Sequence, residues 1–392
     1  MRIAHFFHHL DPAQGGTFRV MTNMAVSSAQ MGHDVTVLTP HIPDPETPDV
    51  RAMSEAVRIV ERRGPSGLLG KATAERFRDE FERADVVHFH ALWNAVTWRA
   101  VGLCNSIGTP SVLTMHGMLM EYPLRSSAPK KRVFMATMGR SLLKNIGVVQ
   151  MLNAEESRQS RKAGVDYRFV EIPNGVDTSQ FDALPGPGWY RDSIPMLAGK
   201  TVILSMGRLH PIKGCELLLG AFLEEAAQRD DIALIMAGPD EGSLPAMREM
   251  LDGHPAADRV LLPGLVGGET RLGMLADADI FAQCSRHETA SMSVLEAAYA
   301  RKPLLLTDKC NYPEFAGSGE DSQTGAVCRV SQDDIRRALG SLLDRKAELP
   351  AMGERARSIV DDQFRHERVM ERIIDVYKQL GSGYSYQMLK SV

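Results

Sequence analysis

Twelve short apolar segments, six in each half and separated by stretches of helical composition, constrain the fold of this chain more than any other feature. In the first half they are Ile3 to Phe7, Asp34 to Thr39, Val86 to Phe89, Val112 to Met115, Val148 to Leu152 and Phe169 to Ile172. The second half repeats the habit with Val202 to Met206, Ile232 to Ala237, Val260 to Leu262, Ile280 to Gln283, Leu304 to Thr307 and Ala326 to Val330. Several are apolar on both faces, as in a parallel sheet covered by helices on each side. The expected class is therefore α/β, with two doubly wound domains. The length of 392 residues and the 44% hydrophobic content suffice for two separate cores and exclude a single small module. Between the halves, Pro185, Gly186, Pro187, Gly188 and Pro195 break both helix and strand. The expected organisation is a first domain over 1–181, a linker over 182–198 and a second domain over 199–364.

Charge narrows the partners. A formal charge of -4 offers no global reason to bind nucleic acid. Locally, Tyr122 to Val170 holds ten Lys or Arg against three acids. Within it Pro129-Lys130-Lys131-Arg132 precedes Val133, Phe134, Met135, Met138, Leu142 and Leu143, which fall largely on one face of a helix. Residues 125–144 thus suit an anionic membrane surface or a lipid diphosphate acceptor, or else an ordinary amphipathic helix docked on its own sheet. Five cysteines without a Cys-x-x-Cys indicate neither a disulfide framework nor a zinc site, which fits a reducing cytosol. The N-terminus lacks the apolar core of a signal peptide, and no run approaches the ~20 residues needed to span a bilayer. A cytoplasmic protein, soluble or peripheral on the inner face of the membrane, is expected.

Two segments of the second half carry candidate chemistry. In Gly207-Arg-Leu-His-Pro-Ile-Lys-Gly214, Arg208 and Lys213 lie in the turn where the strand ending at Met206 meets a helix over Glu216 to Phe222. Ligands bind at that edge of a doubly wound sheet. A planar guanidinium and a compact ammonium can together neutralise a leaving diphosphate without a divalent ion. In His287-Glu-Thr-Ala-Ser-Met-Ser-Val-Leu-Glu-Ala297, a helix is expected from Met292 to Ala300. The amides of Ser291, Met292 and Ser293 then face outward at its start, where anions or sugar oxygens bind. Glu288 before the helix and Glu296 one turn inside can accept hydrogen bonds from sugar hydroxyls.

In the first half, Gly15-Gly16-Thr17 opens a helical stretch, Phe18 to Ala29. The glycines let backbone approach a ligand, and Thr17 can cap the helix. His116 follows the strand Val112 to Met115 and projects from its carboxyl end. Asn174-Gly175 reads as a tight turn near the hinge. Asp277-Ala-Asp279, at the amino edge of a strand, reads as solvated surface rather than a metal pair. The histidines, including His5, His8, His9, His88 and His90, show no His-Glu-x-x-His spacing. Neither a metal nor another cofactor is expected.

These motifs, taken together, resemble the retaining glycosyltransferases of the large group-1 family, and the resemblance covers nearly the whole chain. It implies the GT-B fold: two Rossmann-like domains facing a central cleft, with the donor bound by the second domain and the C-terminal helix, 365–392, crossing back to the first. It implies that Arg208 and Lys213 hold the donor diphosphate, that Glu288 contacts the transferred sugar and that Glu296 binds the ribose. The glycine loop, Gly15 and Gly16, would lie near the donor phosphate, and His116 would contact the hexose. Backbone around Gly238 and Val266 would recognise the base. The family commonly has an aromatic two residues after the first Glu, where this chain has Ala290. Thr114-Met-His-Gly-Met-Leu-Met-Glu and Thr307-Asp-Lys-Cys-Asn-Tyr-Pro-Glu-Phe-Ala resemble the branch that assembles exopolysaccharide or lipopolysaccharide. The implied function is metal-independent transfer of a hexosyl unit from a nucleotide diphosphate-sugar to a saccharide or lipid-linked saccharide. The alternatives are a nucleotide-sugar epimerase or hydrolase and a non-catalytic sugar-nucleotide-binding assembly subunit.

Overall fold

A computed structural model describes residues 1–63, 71–125, 127–182, 184–316 and 323–382. The chain divides into two compact units, one made of Met1–Gly175 with the C-terminal stretch from His366, the other of Val176–Arg365.

The first unit is built on a seven-stranded sheet of β1 (Arg2–Phe7), β2 (Asp34–Thr39), β3 (Arg58–Glu61), β4 (Val86–His90), β5 (Ser111–Thr114), β6 (Val148–Met151) and β7 (Phe169–Glu171), in the order β3-β2-β1-β4-β5-β6-β7. Every neighbouring pair is parallel. All five residues of β4 are buried, as the apolar run implies for a strand covered on both faces. On one face Phe6, Phe77, Phe81 and Phe89 pack together, edge-on, tilted and, for Phe77 with Phe81, stacked, with Phe6 and Phe77 centroids 5.5 Å apart. Each is fully buried, and removing such a ring costs about 3–5 kcal/mol. The helix Ala95–Ile107 is set by its ends: the Asn94 side chain accepts the amides of Val96 and Thr97, and Gly108 at φ 78 closes it in the left-handed region. The last helix, His366–Gly381, buries His366, Val369, Met370, Ile373, Ile374 and Tyr377, a three- and four-residue spacing that makes one apolar stripe. That stripe packs in the first unit, where Tyr377 reaches His88.

The second unit holds a six-stranded parallel sheet of β8 (Thr201–Met206), β9 (Ile232–Ala237), β10 (Val260–Gly264), β11 (Ile280–Gln283), β12 (Leu304–Thr307) and β13 (Gly325–Cys328), ordered β10-β9-β8-β11-β12-β13. In each sheet the winding reverses once, between β1 and β4 in the first and between β8 and β11 in the second. Those reversals open crevices beyond the carboxyl ends of the strands, where ligands of doubly wound folds bind. The chain thus has two parallel Rossmann-like sheets, as expected.

Four expectations need correction. β3 carries no continuous apolar run; as an edge strand of Arg58-Ile-Val-Glu61 it is only half-buried and leaves no two-sided signal. Residues 182–198 are not a free linker, because Tyr190 and Leu197 enter the core of the second unit, which runs from Val176. Asp277 is not solvated surface. Its carboxylate accepts the backbone amides of Gly188, Tyr190 and Arg191 at 2.6, 2.7 and 2.9 Å, which ties the Pro/Gly-rich stretch down. Asp279 accepts from Arg191 and from the amide of Val202. Thr17 does not cap its helix: the helix spans Gly16–Gln30, its N-cap is Gly15, and no side chain caps it. Among the described residues, no helix is long and apolar enough to cross a membrane.

Candidate active site

In the second unit, the crevice between β8 and β11 brings together residues far apart in sequence. After β8 the chain makes a short turn, Pro211–Lys213, and enters the helix Cys215–Ala226 through Gly214 at φ 66. A side chain at Gly214 would run into the Cys284 carbonyl just beyond β11, so this turn needs glycine to sit so close to its neighbour. That approach delivers Lys213. Its Nζ donates to Glu288 Oε1, and both side chains are largely buried. Glu288 Oε1 also accepts the hydroxyl of Ser285 at 2.8 Å, and Asn311 and the Lys309 carbonyl hold the Glu288 backbone. A cation and a carboxylate thus stand fixed at the topological switch point. Arg208 stands apart. It is half-exposed and pairs with Glu241 at the surface.

The helix Met292–Tyr299 starts next to Glu288, with Ser291 as N-cap. No side chain caps the helix, so Ser291 leaves the first amides, those of Met292 and Ser293, to other partners. Its own hydroxyl lies 3.2 Å from that of Ser293. Glu296 is buried one turn inside the helix, and its Oε2 accepts from Arg271 at 2.6 Å. Arg271, on the helix Gly268–Asp277, also reaches Gln180. Gly238 follows β9; a Cβ there would collide with the Gly207 carbonyl, so the loops after β8 and β9 touch backbone to backbone. Val266 lies after β10, partly buried against the core.

In the first unit, Gly15 (φ 63) and Gly16 open their helix after β1, and a side chain at either would meet nothing within 4 Å. His116, just past β5, takes φ 52, and Gly117 follows at φ 78. Two successive left-handed residues turn the chain sharply, a conformation a histidine adopts only when its surroundings impose it. Glu156 imposes it here. Fully buried, its carboxylate accepts the Gly117 amide at 2.5 Å through one oxygen and the Leu152 amide at 2.7 Å through the other. Burial pushes this carboxyl up to about 7, with the two amides opposing. His116 is partly buried and held neutral, its value lowered to about 4 by desolvation, and its buried Nε2 has no partner among the described residues.

Behind His116 lies a row of imidazoles. His5 sits opposite His88 and Phe7 opposite His90 in the β1–β4 register, so three rings share one face. His90 stacks with His116 at 5.8 Å and bonds His5 at 3.1 Å. His88 contacts Tyr377 and Thr114, and Thr114 donates to Gln150 Oε1. The direction follows: Tyr377 donates to His88, His88 to Thr114, Thr114 to Gln150, and Gln150 to the Ile172 carbonyl. One nitrogen from each of His5, His88 and His90 lies within 4.8 Å of the others. Burial keeps all three neutral, the ligating form, but an ion there would have to break one of the two His88 bonds.

Sequence reasoning missed several of these residues. Glu156 carries a readable signal, since Asn153 and Glu156 are spaced as a capping box, but that spacing points to the helix's own N-terminus and not to the His116 turn. Glu241 and Arg271 carry none, because their importance comes from partners 33 and 25 residues away that only packing brings together, and Ser285 bonds Glu288 three residues on within a loop that no periodicity marks.

Residues 190–359 match the family model of glycosyl transferases group 1, and residues 14–180 match that of glycosyltransferase family 4. A phosphatidyl-myo-inositol mannosyltransferase from Mycolicibacterium smegmatis is 27% identical over 358 residues, covering 86% of each chain. Among solved structures, a sucrose-phosphate synthase from Thermosynechococcus elongatus superposes with a TM-score of 0.79 at 18% identity, over 98% of this chain and 100% of its own. The Anabaena protein Alr3699/HepE, in complex with UDP and glucose, superposes at 0.76 with 16% identity, over 97% and 100%. With two Rossmann-like sheets and a family match on each half, the chain belongs to the group 1 glycosyltransferases of GT-B fold.

Proposed function

We propose that the chain transfers a hexosyl unit from a nucleotide diphosphate-sugar to a saccharide or lipid-linked saccharide acceptor, with retention of anomeric configuration and without a metal. The observation that carries this reading is Lys213 joined to Glu288 at the β8–β11 switch point, beside the start of the helix Met292–Tyr299. As the bond to phosphate breaks, charge grows on the leaving oxygen, and Lys213 with Arg208 stabilises it in place of a divalent ion. The bound diphosphate competes with Glu288 for Lys213 and with Glu241 for Arg208. Glu288, relieved of its cation, accepts from the sugar hydroxyls, Glu296 holds the ribose with Arg271 beside it, and the amides of Ser291, Met292 and Ser293 meet donor oxygens. Gly238 and Val266 frame the base, and Gly15 and Gly16 offer backbone to the phosphate. His116, neutral and with an unpartnered nitrogen, faces the hexose.

The acceptor reading draws on the M. smegmatis relative, whose name specifies an inositol phospholipid, and the donor reading on the Anabaena complex with UDP and glucose. The product belongs to cell-surface polysaccharide or lipopolysaccharide assembly at the cytoplasmic face of the membrane. The test is thermal stability across UDP, GDP, ADP and CMP with and without magnesium, followed by acceptor-dependent transfer with the matching sugar nucleotide. A ligand at a hundred times its dissociation constant adds about 2.7 kcal/mol. A shift with one nucleotide that survives chelator supports the reading; donor turnover without an acceptor would replace it with a hydrolase or epimerase.

A further inference from the structure

The segment after His116 carries a feature the transfer chemistry does not use. Between Glu121 and Glu155 the chain has six cations, Arg125, Lys130, Lys131, Arg132, Arg140 and Lys144, and no carboxylate. The structure folds most of this stretch into helix, from Ala128–Phe134 through a π-helical turn at Met135–Gly139 to Arg140–Asn145. Beside it lies a groove of about 400 Å³ with an apolar floor of Leu124, Ala128, Met135 and Ala163. Arg125, Lys131, Arg132 and Arg140 rim it, with Glu121 as the one acid.

The four cations are not equivalent. Arg125 faces Glu121 at 3.6 Å. Lys131 donates to the Pro123 carbonyl at 2.6 Å and lies over the Trp93 ring. Among the described residues, Arg132 and Arg140 have no carboxylate partner, although both rim the same groove. Two guanidiniums converging on one apolar-floored groove match a phosphate diester, which they can bind through paired N–H donors. Exposed apolar side chains in the same segment add a second demand. Val133 is 64% exposed and Tyr122 41%, two of the five large hydrophobic side chains exposed among the described residues. A soluble phosphate has no use for these side chains, whereas a bilayer interface receives both them and the flanking cations.

We infer that this groove binds the phosphate headgroup of an anionic lipid in a membrane, with Arg132 and Arg140 on the phosphate and Val133 and Tyr122 entering the interface. The inference deepens the lipid-linked acceptor reading, but its test involves no sugar transfer, so either can fail without the other. The full chain is sedimented with vesicles of phosphatidylcholine alone and of phosphatidylcholine mixed with phosphatidylglycerol. Binding is expected only to the mixed vesicles and is weakened by salt. Each cation near an anionic leaflet strengthens partitioning roughly fivefold, so Arg132→Ala with Arg140→Ala lowers it about twenty-five-fold. Val133→Ser lowers it further, and thermal unfolding matches the parent in both variants because these side chains are exposed. Equal binding to both vesicle types, or a double variant that binds like the parent, overturns the inference. Stabilisation by inorganic phosphate without vesicle binding overturns it in favour of a soluble anion, and salt-sensitive binding of RNA without vesicle binding in favour of nucleic acid.

Discussion

Glu156→Gln is the substitution that best separates a positioning role from a structural one. The carboxylate accepts two backbone amides at once, and one of them follows the strained His116. Glutamine is the same size, but only one of its terminal atoms accepts; the other presents N–H to an amide. Leaving one buried amide unpaired costs about 1–3 kcal/mol. The strain at His116 then relaxes, and the imidazole leaves the position the turn defines. A displacement of that kind lowers turnover on the order of tenfold or more. The pH dependence makes the prediction specific. The carboxyl is raised from 4.5 to about 7 in the folded protein, so the folded state holds this proton more tightly than the unfolded state. Its contribution to stability is therefore fully present below the unfolded value and is lost as pH rises through about 7. That difference is worth about 3 kcal/mol. Between pH 5 and pH 8 the variant should gain about that much stability relative to the parent, measured by urea unfolding. Activity runs the other way. Below about pH 7 the parent's carboxyl is protonated and can no longer accept from both amides, so its kcat falls with acid, while the variant's is low and flat over the same range. A variant that keeps the parent's acid limb, or whose relative stability does not change with pH, would refute the reasoning.

Three further outcomes follow from particular contacts. Lys213→Ala and Arg208→Ala should each cut transfer by at least tenfold, but only the first should lower stability, by about 1–3 kcal/mol, because it strands the buried Glu288 while Arg208 leaves only a surface pair. Initial rates together with thermal unfolding check the contrast; normal activity in either variant removes that residue from the donor site. Asp277→Ala should destabilise the second unit by about 2–4 kcal/mol, since three backbone amides lose their acceptor, as read by the midpoint of chemical unfolding. Turnover should be unchanged in excess chelator, and strict restoration by magnesium or manganese would overturn the metal-free reading.

What the sequence determined by itself is local and periodic. Continuous apolar runs such as Ile232 to Ala237 declare strands buried on both faces, and their alternation with helices implies parallel sheets. The turn holding Arg208 and Lys213, and the helix start after Glu288, are legible for the same reason: a strand's end and a helix's beginning are written in adjacent residues. Tertiary structure decided everything that depends on which distant groups meet. β3 exists because β2 offers it an edge, not because Arg58 to Glu61 insist on extension. Asp277 reads as a surface acid until three amides from residues 188–191 are brought to it, and Glu156 reads as a helix cap until the His116 turn arrives beside it. Lys213 and Glu288 are 75 residues apart, and only the reversal of strand order between β8 and β11 makes them partners. A carboxylate is the same residue in each setting. Whether it is solvated, structural or positioned for chemistry is set by the donors that burial places around it, and those come from other strands.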